Sequence, residues 1–288
     1  VKDGAISTSM RRHALDRTGL FKSIEAAGAE ILKAPVSLDV TVGGKTLAFS
    51  GGPGLGKVVN REDEAEWTAE TATEDGHSLK VSGYMEYDGL ARFDVTLTPK
   101  GTLAVDNAVL RLPYRQEVVK LLHTKIGWWH FLEIARDEAG AYEAKPINWN
   151  IGQPKERQRR PGVIYDAVDM GREAPTEYAF APFVHVGNYH RGMVWFVDND
   201  RNWIHDIDRV PPMELVCAGK EQYLRLNVIA RPVEMKAPWT LRFYLLANHY
   251  KPLPKDWRTW IVSDYQAVDD VAKHSQHRFW FHWNEYAD

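Results

Sequence analysis

Tyr178-Ala-Phe-Ala-Pro-Phe-Val-His-Val-Gly-Asn-Tyr-His-Arg-Gly-Met-Val-Trp-Phe-Val-Asp-Asn-Asp-Arg-Asn-Trp203 decides how this chain is read. Two apolar, alternating runs flank a short polar break. Val184 to Val186 reads as one strand and Met193 to Val197 as the next. Gly187, Asn188 and Gly192 lie in or beside the break, and Gly and Asn tolerate the positive φ that a tight turn needs. The break also collects His185, Asn188, Tyr189, His190 and Arg191, followed by Asp198, Asn199, Asp200 and Trp203. A hairpin that had only to fold would not require so many polar and aromatic groups, so a partner is expected at its tip.

Outward from this hairpin the strand pattern continues in both directions. Val36 to Val42 alternates strictly and ends at Gly43-Gly44. Ala65 to Thr73, Ser78 to Tyr87 and Ala91 to Thr98 read as successive strands, with hairpin turns at the two Asp-Gly pairs. Leu103 to Pro113 reads as one half-buried edge strand. Glu214 to Ala218, Gln222 to Ala230 and Trp239 to Ala247 supply three more. Leu20 to Gly28 admits either a short helix closed by Gly28 or strand-forming chain with a turn. Between Ala135 and Gly171 the apolar periodicity weakens, which predicts a long functional loop. Ser50-Gly-Gly-Pro-Gly-Leu-Gly56 lacks the Lys-Ser or Lys-Thr that closes a phosphate-binding loop, so no nucleotide is expected there.

The 288 residues are enough for one large β domain. With 44% hydrophobic and 26% charged residues, disorder is not expected. A net charge of −3 argues against nucleic acid as the partner. The basic run Lys155 to Arg160 reads as a solvated loop. No stretch approaches the roughly 20 apolar residues that span a bilayer, so no membrane partner is expected. Cys217 is the one cysteine, so neither an internal disulfide nor a cysteine metal cluster can form. Its place in Glu214-Leu-Val-Cys suits a small buried apolar role. The aromatic content, 11 Trp and 12 Tyr, suits carbohydrate. A flat ring stacks on the apolar face of a pyranose while Asn, Asp and His bind its hydroxyls.

Three segments in order resemble the N-terminal β-sandwich domain of glycoside hydrolase family 123-like enzymes and their relatives. They are Phe180 to Trp203, the run Arg242-Phe-Tyr-Leu-Leu-Ala-Asn-His-Tyr-Lys-Pro-Leu-Pro-Lys-Asp-Trp-Arg258, and Tyr87-Asp-Gly-Leu90 with Leu97-Thr-Pro99. Together they cover Ser78 to Arg258. The resemblance implies an all-β fold, a large antiparallel β-sandwich of the galactose-mutarotase-like supersandwich kind, placed before a (β/α)8 barrel. In that family the barrel carries an adjacent Asp-Glu pair. Glu62-Asp63-Glu64 and Asp137-Glu138 lie in the sandwich region and are not carried over as that pair. His185 stands where the family has Trp or Leu, and His190 stands where it has Asp. The expected organisation is a sandwich over 1–250, a linker over 251–277 around Lys251-Pro-Leu-Pro-Lys255, and the first strand of a following barrel over 278–288.

Trp128, Trp129, His130, Asn148, Trp149, Asn188, His190 and Trp203 are the expected sugar-binding residues. Since neighbours on a strand face opposite sides, at most one of Trp128 and Trp129 faces a ligand. No cofactor or metal is expected; His185, His190 and His205 do not ensure the three converging ligands a metal needs. The expected role is an accessory, carbohydrate-associated sandwich of a polysaccharide-degrading enzyme, periplasmic or secreted, beside a catalytic barrel. The alternative is a catalytic sandwich, a polysaccharide lyase or aldose epimerase using His130, Tyr189, His190 and Arg191. A third reading is an interaction domain that holds the barrel without a ligand of its own.

Overall fold

In the computed structural model, residues 5–126, 128–147, 160–167 and 180–248 are described. Among them every pair of strands is antiparallel, one isolated bridge, Ile204 to Ile229, is parallel, and no α-helix occurs. Expected strands and observed strands agree closely along most of the chain. Glu64–Ala72, Ser78–Glu86 and Ala91–Thr98 form a meander whose turns place Gly76 and Gly89 at positive φ. The linker and the barrel strand expected over 251–288 lie outside the described residues.

The strands build an 11-stranded sheet and a six-stranded sheet. In the larger one, Trp239–Asn248 sits between Gly192–Phe196 and Ala91–Thr98. This strand therefore joins two meanders that are far apart in sequence. In the smaller one, Asn107–Tyr114 lies between Ser37–Val42 and Glu221–Ile229. That corrects the expected edge strand over Leu103 to Pro113. The run breaks at Asp106, and Leu103–Val105 pairs instead with Val233–Met235. Pro113 is tolerated in this central strand because the ladder to Ser37–Val42 ends at Arg111.

Alternation decides which side of each sheet is buried. Phe93, Val184, Trp195 and Phe243 from the larger sheet share one hydrophobic core with Leu110 and Leu224 from the smaller. Outer positions of the larger sheet, such as Tyr84, Arg92, Asp94 and Tyr244, remain half-exposed.

The N-terminal segment resolves the ambiguity over Leu20 to Gly28. It is a hairpin, not a helix: Phe21–Ala26 turns through Ala27 and Gly28 into Ala29–Glu30. Both turn residues have positive φ, 51° and 76°, as a two-residue primed turn requires. Phe21 and Ile24 face the core, and Phe21 meets Phe93 edge-on with ring centroids 5.0 Å apart. Buried Arg11 ties this small sheet to the large one, its Nη1 donating to the Ala247 carbonyl at 2.8 Å.

Two further expectations change. The loop expected from Ala135 to Gly171 contains the strands Tyr142–Pro146 and Val163–Asp166, which edge the larger and smaller sheets. The glycine-rich run over 50–56 curls around Arg17. That guanidinium donates to the carbonyls of Ser50, of Gly51 at 3.0 Å and of Gly52 at 2.8 Å. The run, of which Gly51–Leu55 is an edge strand of the larger sheet, thus turns acceptors inward, the opposite of a phosphate cradle built from N–H donors.

Candidate functional site

The central hairpin forms as its sequence predicts, with strands Phe183–Gly187 and Gly192–Phe196. Its glycines serve a different purpose from the one expected. Neither Gly187 nor Gly192 has positive φ. They face each other across the ladder, and a Cβ at Gly192 would fall 2.6 Å from the Gly187 Cα, the Val186 carbonyl and His185 Nε2. Close approach of backbone and imidazole is what demands glycine here. Asn188 closes the turn. Its side-chain carbonyl accepts from the N–H groups of His190 and Arg191 at 2.8 and 2.9 Å, and its amide donates to the Glu117 carbonyl.

His185 lies on the outer face, where Asn248 Nδ2 donates to its Nε2 at 3.1 Å. His123 is its cross-strand partner and stacks on Phe131, centroids 4.0 Å apart. Burial lowers both imidazoles, His123 to about 4 with the charge of His185 adding to the effect. Burial, then the Arg11 charge, brings His13 to about 4 as well. From the ordinary 6.5 down to about 4 the unfolded chain binds protons that the folded one refuses. Stability is therefore full above pH 6.5 and falls with the pH through that window. Urea midpoints between pH 7 and pH 4 check this. In His123→Phe, which keeps the stack on Phe131, the fall becomes shallower; an unchanged slope removes His123 from the account.

Of the expected sugar-binding residues, Asn188, His190 and Trp203 are not brought to one place. Tyr189 is 79% exposed, and His190 is exposed beside it on the turn. Asn188 is committed to holding that turn. Trp203 corrects its expected role. It is 8% exposed and packs on Phe180, Trp195 and His205, so it presents no face to a ligand. Nor do Asn188 to Arg191 and Asp198 to Trp203 share one tip. The five-residue strand between them separates the two groups by roughly 17 Å. Trp128, Trp129 and His130 open the strand Trp128–Arg136 and stand opposite Ile126, Lys125 and Thr124. Asn148 and Trp149 lie outside the described residues. Tyr189, His190 and Arg191 share a single four-residue turn, while His130 is in register with Thr124 two strands away.

The second polar group instead builds a cavity of about 280 Å³ on the outer face of the larger sheet. Asp198, Asn199, Arg201 and Asn202 come from the loop after the hairpin, and Asp94, Thr240 and Arg242 from two adjoining strands. Arg242 grips Asp94 through two bonds, Nε to Oδ1 at 2.6 Å and Nη2 to Oδ2 at 3.2 Å. The loop is fixed by Asn202, whose Nδ2 donates to the Thr240 carbonyl at 2.7 Å and whose own carbonyl accepts from Trp239 Nε1 at 2.7 Å. Asn202 adopts φ 70°, which asparagine tolerates better than most residues. Tyr244 donates to Asp198 at 2.9 Å and stacks on Phe196, centroids 4.8 Å apart and 8° from parallel. Burial, then the bond to Asp198 and its charge, push the Tyr244 phenol up, so it remains a donor at neutral pH.

The result is a set of planar donors and acceptors beside a flat aromatic stack, a combination that suits sugar hydroxyls and a pyranose face. Asp94, Thr240 and Arg242 were not singled out from sequence, because each reads as an ordinary outward residue of an alternating strand. Among the described residues no group of three or more His, Cys, Asp or Glu is placed to hold a metal ion. Buried Cys217 has its thiol pushed up to about 12 by burial, which leaves it a packing residue and not a nucleophile.

Fold and site together define a large antiparallel β-sandwich domain with a polar recess on its outer face. Residues 1–128 match the family model described as "Glycoside hydrolase 123, third domain". The family resemblance is borne out over these residues, which include Tyr87-Asp-Gly-Leu90 and Leu97-Thr-Pro99. Among solved structures it is similar to the alpha-N-acetylgalactosaminidase NagBb from Bifidobacterium bifidum in its quadruple-mutant form. The identity is 11% and the TM-score 0.47, over 84% of this chain and 36% of that one. A beta-arabinopyranosidase shows 12% identity and a TM-score of 0.46, over 86% of this chain and 40% of that one. A GalM/aldose epimerase homologue from C. elegans shows 8% identity and a TM-score of 0.42, over 85% of this chain and 98% of that one. The chain thus spans well under half the length of the first two. No curated protein sequence matches it.

Proposed function

We propose that this sandwich is an accessory, carbohydrate-binding part of a glycoside hydrolase-like, polysaccharide-degrading enzyme that acts outside the cytoplasm. It supports or extends the substrate site of a following barrel. The observation that carries this reading is the outer cavity, where the Arg201 guanidinium and the Asn199 side-chain amide are available to hydroxyls beside the Phe196–Tyr244 stack, on a loop that Asn202 holds in place. Its carboxylates serve binding. Asp94 is held by Arg242, and Asp198 receives the Tyr244 hydroxyl. An acid–base pair aimed at a glycosidic bond would instead need one carboxyl left to give up its proton.

The test is affinity electrophoresis of the full chain through gels cast with neutral polysaccharides. Arg201 is exposed, so Arg201→Ala leaves the thermal midpoint unchanged while retention falls about tenfold, the loss of one hydrogen bond to a charged group. Equal retention of parent and variant refutes the cavity as the site. Unsaturated or reducing ends released by the chain itself would replace the accessory reading with a catalytic one.

A further inference from the structure

The register of the larger sheet carries the site beyond one cavity. Tyr84 pairs with Arg92, Arg92 with Tyr244, Tyr244 with Phe196, and Phe196 with Phe183. Directly opposed residues of antiparallel strands point to the same face. All five are half-exposed, and all but Phe183, which follows exposed Pro182, lie between buried neighbours, so this is the outer face. They form one row running across five adjacent strands. At about 4.8 Å per strand it spans roughly 19 Å.

The row is an aromatic track. The Phe196 and Tyr244 rings are stacked, and the Arg92 guanidinium lies 5.4 Å from the centre of the Tyr84 ring. A parallel row, Thr68, Ser82, Asp94 and Arg242, runs beside it in the next register position. That row is polar throughout. Moreover, the cavity at Asp94 and Arg242 is not isolated. A second recess of about 280 Å³ opens on Tyr84, Arg92, Ser82 and Thr68. Arg92 and Asp94, two residues apart on one strand, link the two recesses through an ion pair at 3.6 Å.

We infer that the two recesses are the ends of one binding groove, which takes an extended neutral oligosaccharide of about four units lying across the strands. This rests on the carbohydrate reading above and adds its length, direction and charge class. Side chains repeat along the track at the strand spacing, close to the pitch of successive pyranoses, with Phe196 and Tyr244 facing each other along it. The flanking polar row meets their hydroxyls. A neutral glycan fits because the two recesses set four cations, Lys57, Arg92, Arg201 and Arg242, against three carboxylates, Glu66, Asp94 and Asp198, an excess too small for a run of uronates.

The experiment uses the full chain and native gels cast with xylan, galactan, β-glucan or polygalacturonate. Oligosaccharides of one to six units from whichever neutral polymer retards the chain then go to calorimetry. Affinity is expected to rise up to four units and then level. Tyr84→Ala should weaken four-unit binding about tenfold and leave one-unit binding unchanged. Tyr84→Phe, which keeps the ring, should bind like the parent. Equal affinity for one and four units, or a silent Tyr84→Ala while Arg201→Ala still lowers retention about tenfold, overturns the groove and spares the single cavity. Preferential retention by polygalacturonate overturns the neutral class. No retention by any polymer overturns both readings. A dimer broken by Tyr84→Ala in sedimentation would give the row to a second copy of the chain.

Discussion

Gly83→Ala is expected to lower the unfolding free energy by about 3 kcal/mol, an overpacking penalty with a broken hydrogen bond added. A Cβ at Gly83 would stand 2.0, 2.2 and 2.4 Å from the Cε2, Cζ2 and Nε1 atoms of Trp67. The indole cannot simply slide away. Its Nε1 donates to the Gly19 carbonyl at 2.8 Å, and its ring meets Phe93 edge-on at 5.8 Å. Gly19 itself has φ 84°, and its own Cβ would lie 2.8 Å from that of Ala69, so the acceptor is pinned too. Urea unfolding measures the loss. The double variant Gly83→Ala/Trp67→Phe should recover part of it, since contacting residues are not additive. A loss under 1 kcal/mol, or full additivity, would show that the indole can move. The effect reaches the site because Ser82 and Tyr84 flank Gly83 and point to the opposite face, where they line the second recess.

Gly83 also shows what a sequence can and cannot reveal. Alternation marks Ser78 to Tyr87 as a strand, and a glycine inside a strand signals a close approach. Nothing local says that the approaching group is Trp67. The same limit governs the sheet. Periodicity identifies the core face of Trp239 to Ala247, but not that this strand joins the hairpin to Ala91–Thr98, because strand partners are chosen by long-range packing. The cavity is illegible for that reason: Asp94 and Arg242 meet across 148 residues. Trp203 misled for another. A polar run followed by tryptophan reads as a binding tip. Yet the Trp203 N–H donates back to the Asp200 carbonyl at 2.9 Å, and the turn folds the indole onto Trp195. At Leu20 to Gly28 the apolar spacing fits two periods at once, and only pairing with Arg11–Leu15 decides for the strand.

Glu214→Ala should lower stability by about 3 kcal/mol, at the lower end of what breaking a buried ion pair costs. Glu214 is 1% exposed, although its strand turns it to the outer side of the smaller sheet. Its carboxylate accepts from Arg160 Nε at 2.9 Å and from Arg160 Nη2, from Arg225 Nε at 2.8 Å and from Asn227 Nδ2 at 2.9 Å. Removing the acceptor strands these donors unequally. Arg160 is 41% exposed at its side chain and can turn to water, whereas Arg225 at 20% cannot do so fully. Asn227 keeps its bond to the Pro211 carbonyl. The penalty therefore falls chiefly on Arg225. Arg160→Ala should cost less than half as much, because it leaves Glu214 two of its three partners. Since Arg160 precedes the edge strand Val163–Asp166, whose Asp166 pairs with Glu214 in register, hydrogen exchange over 160–167 should accelerate in both variants. Equal penalties for the two substitutions, or unchanged exchange at that edge, would mean that Glu214 does not fasten the strand. Its network would then be a solvated charge pair in energetic terms, despite its burial.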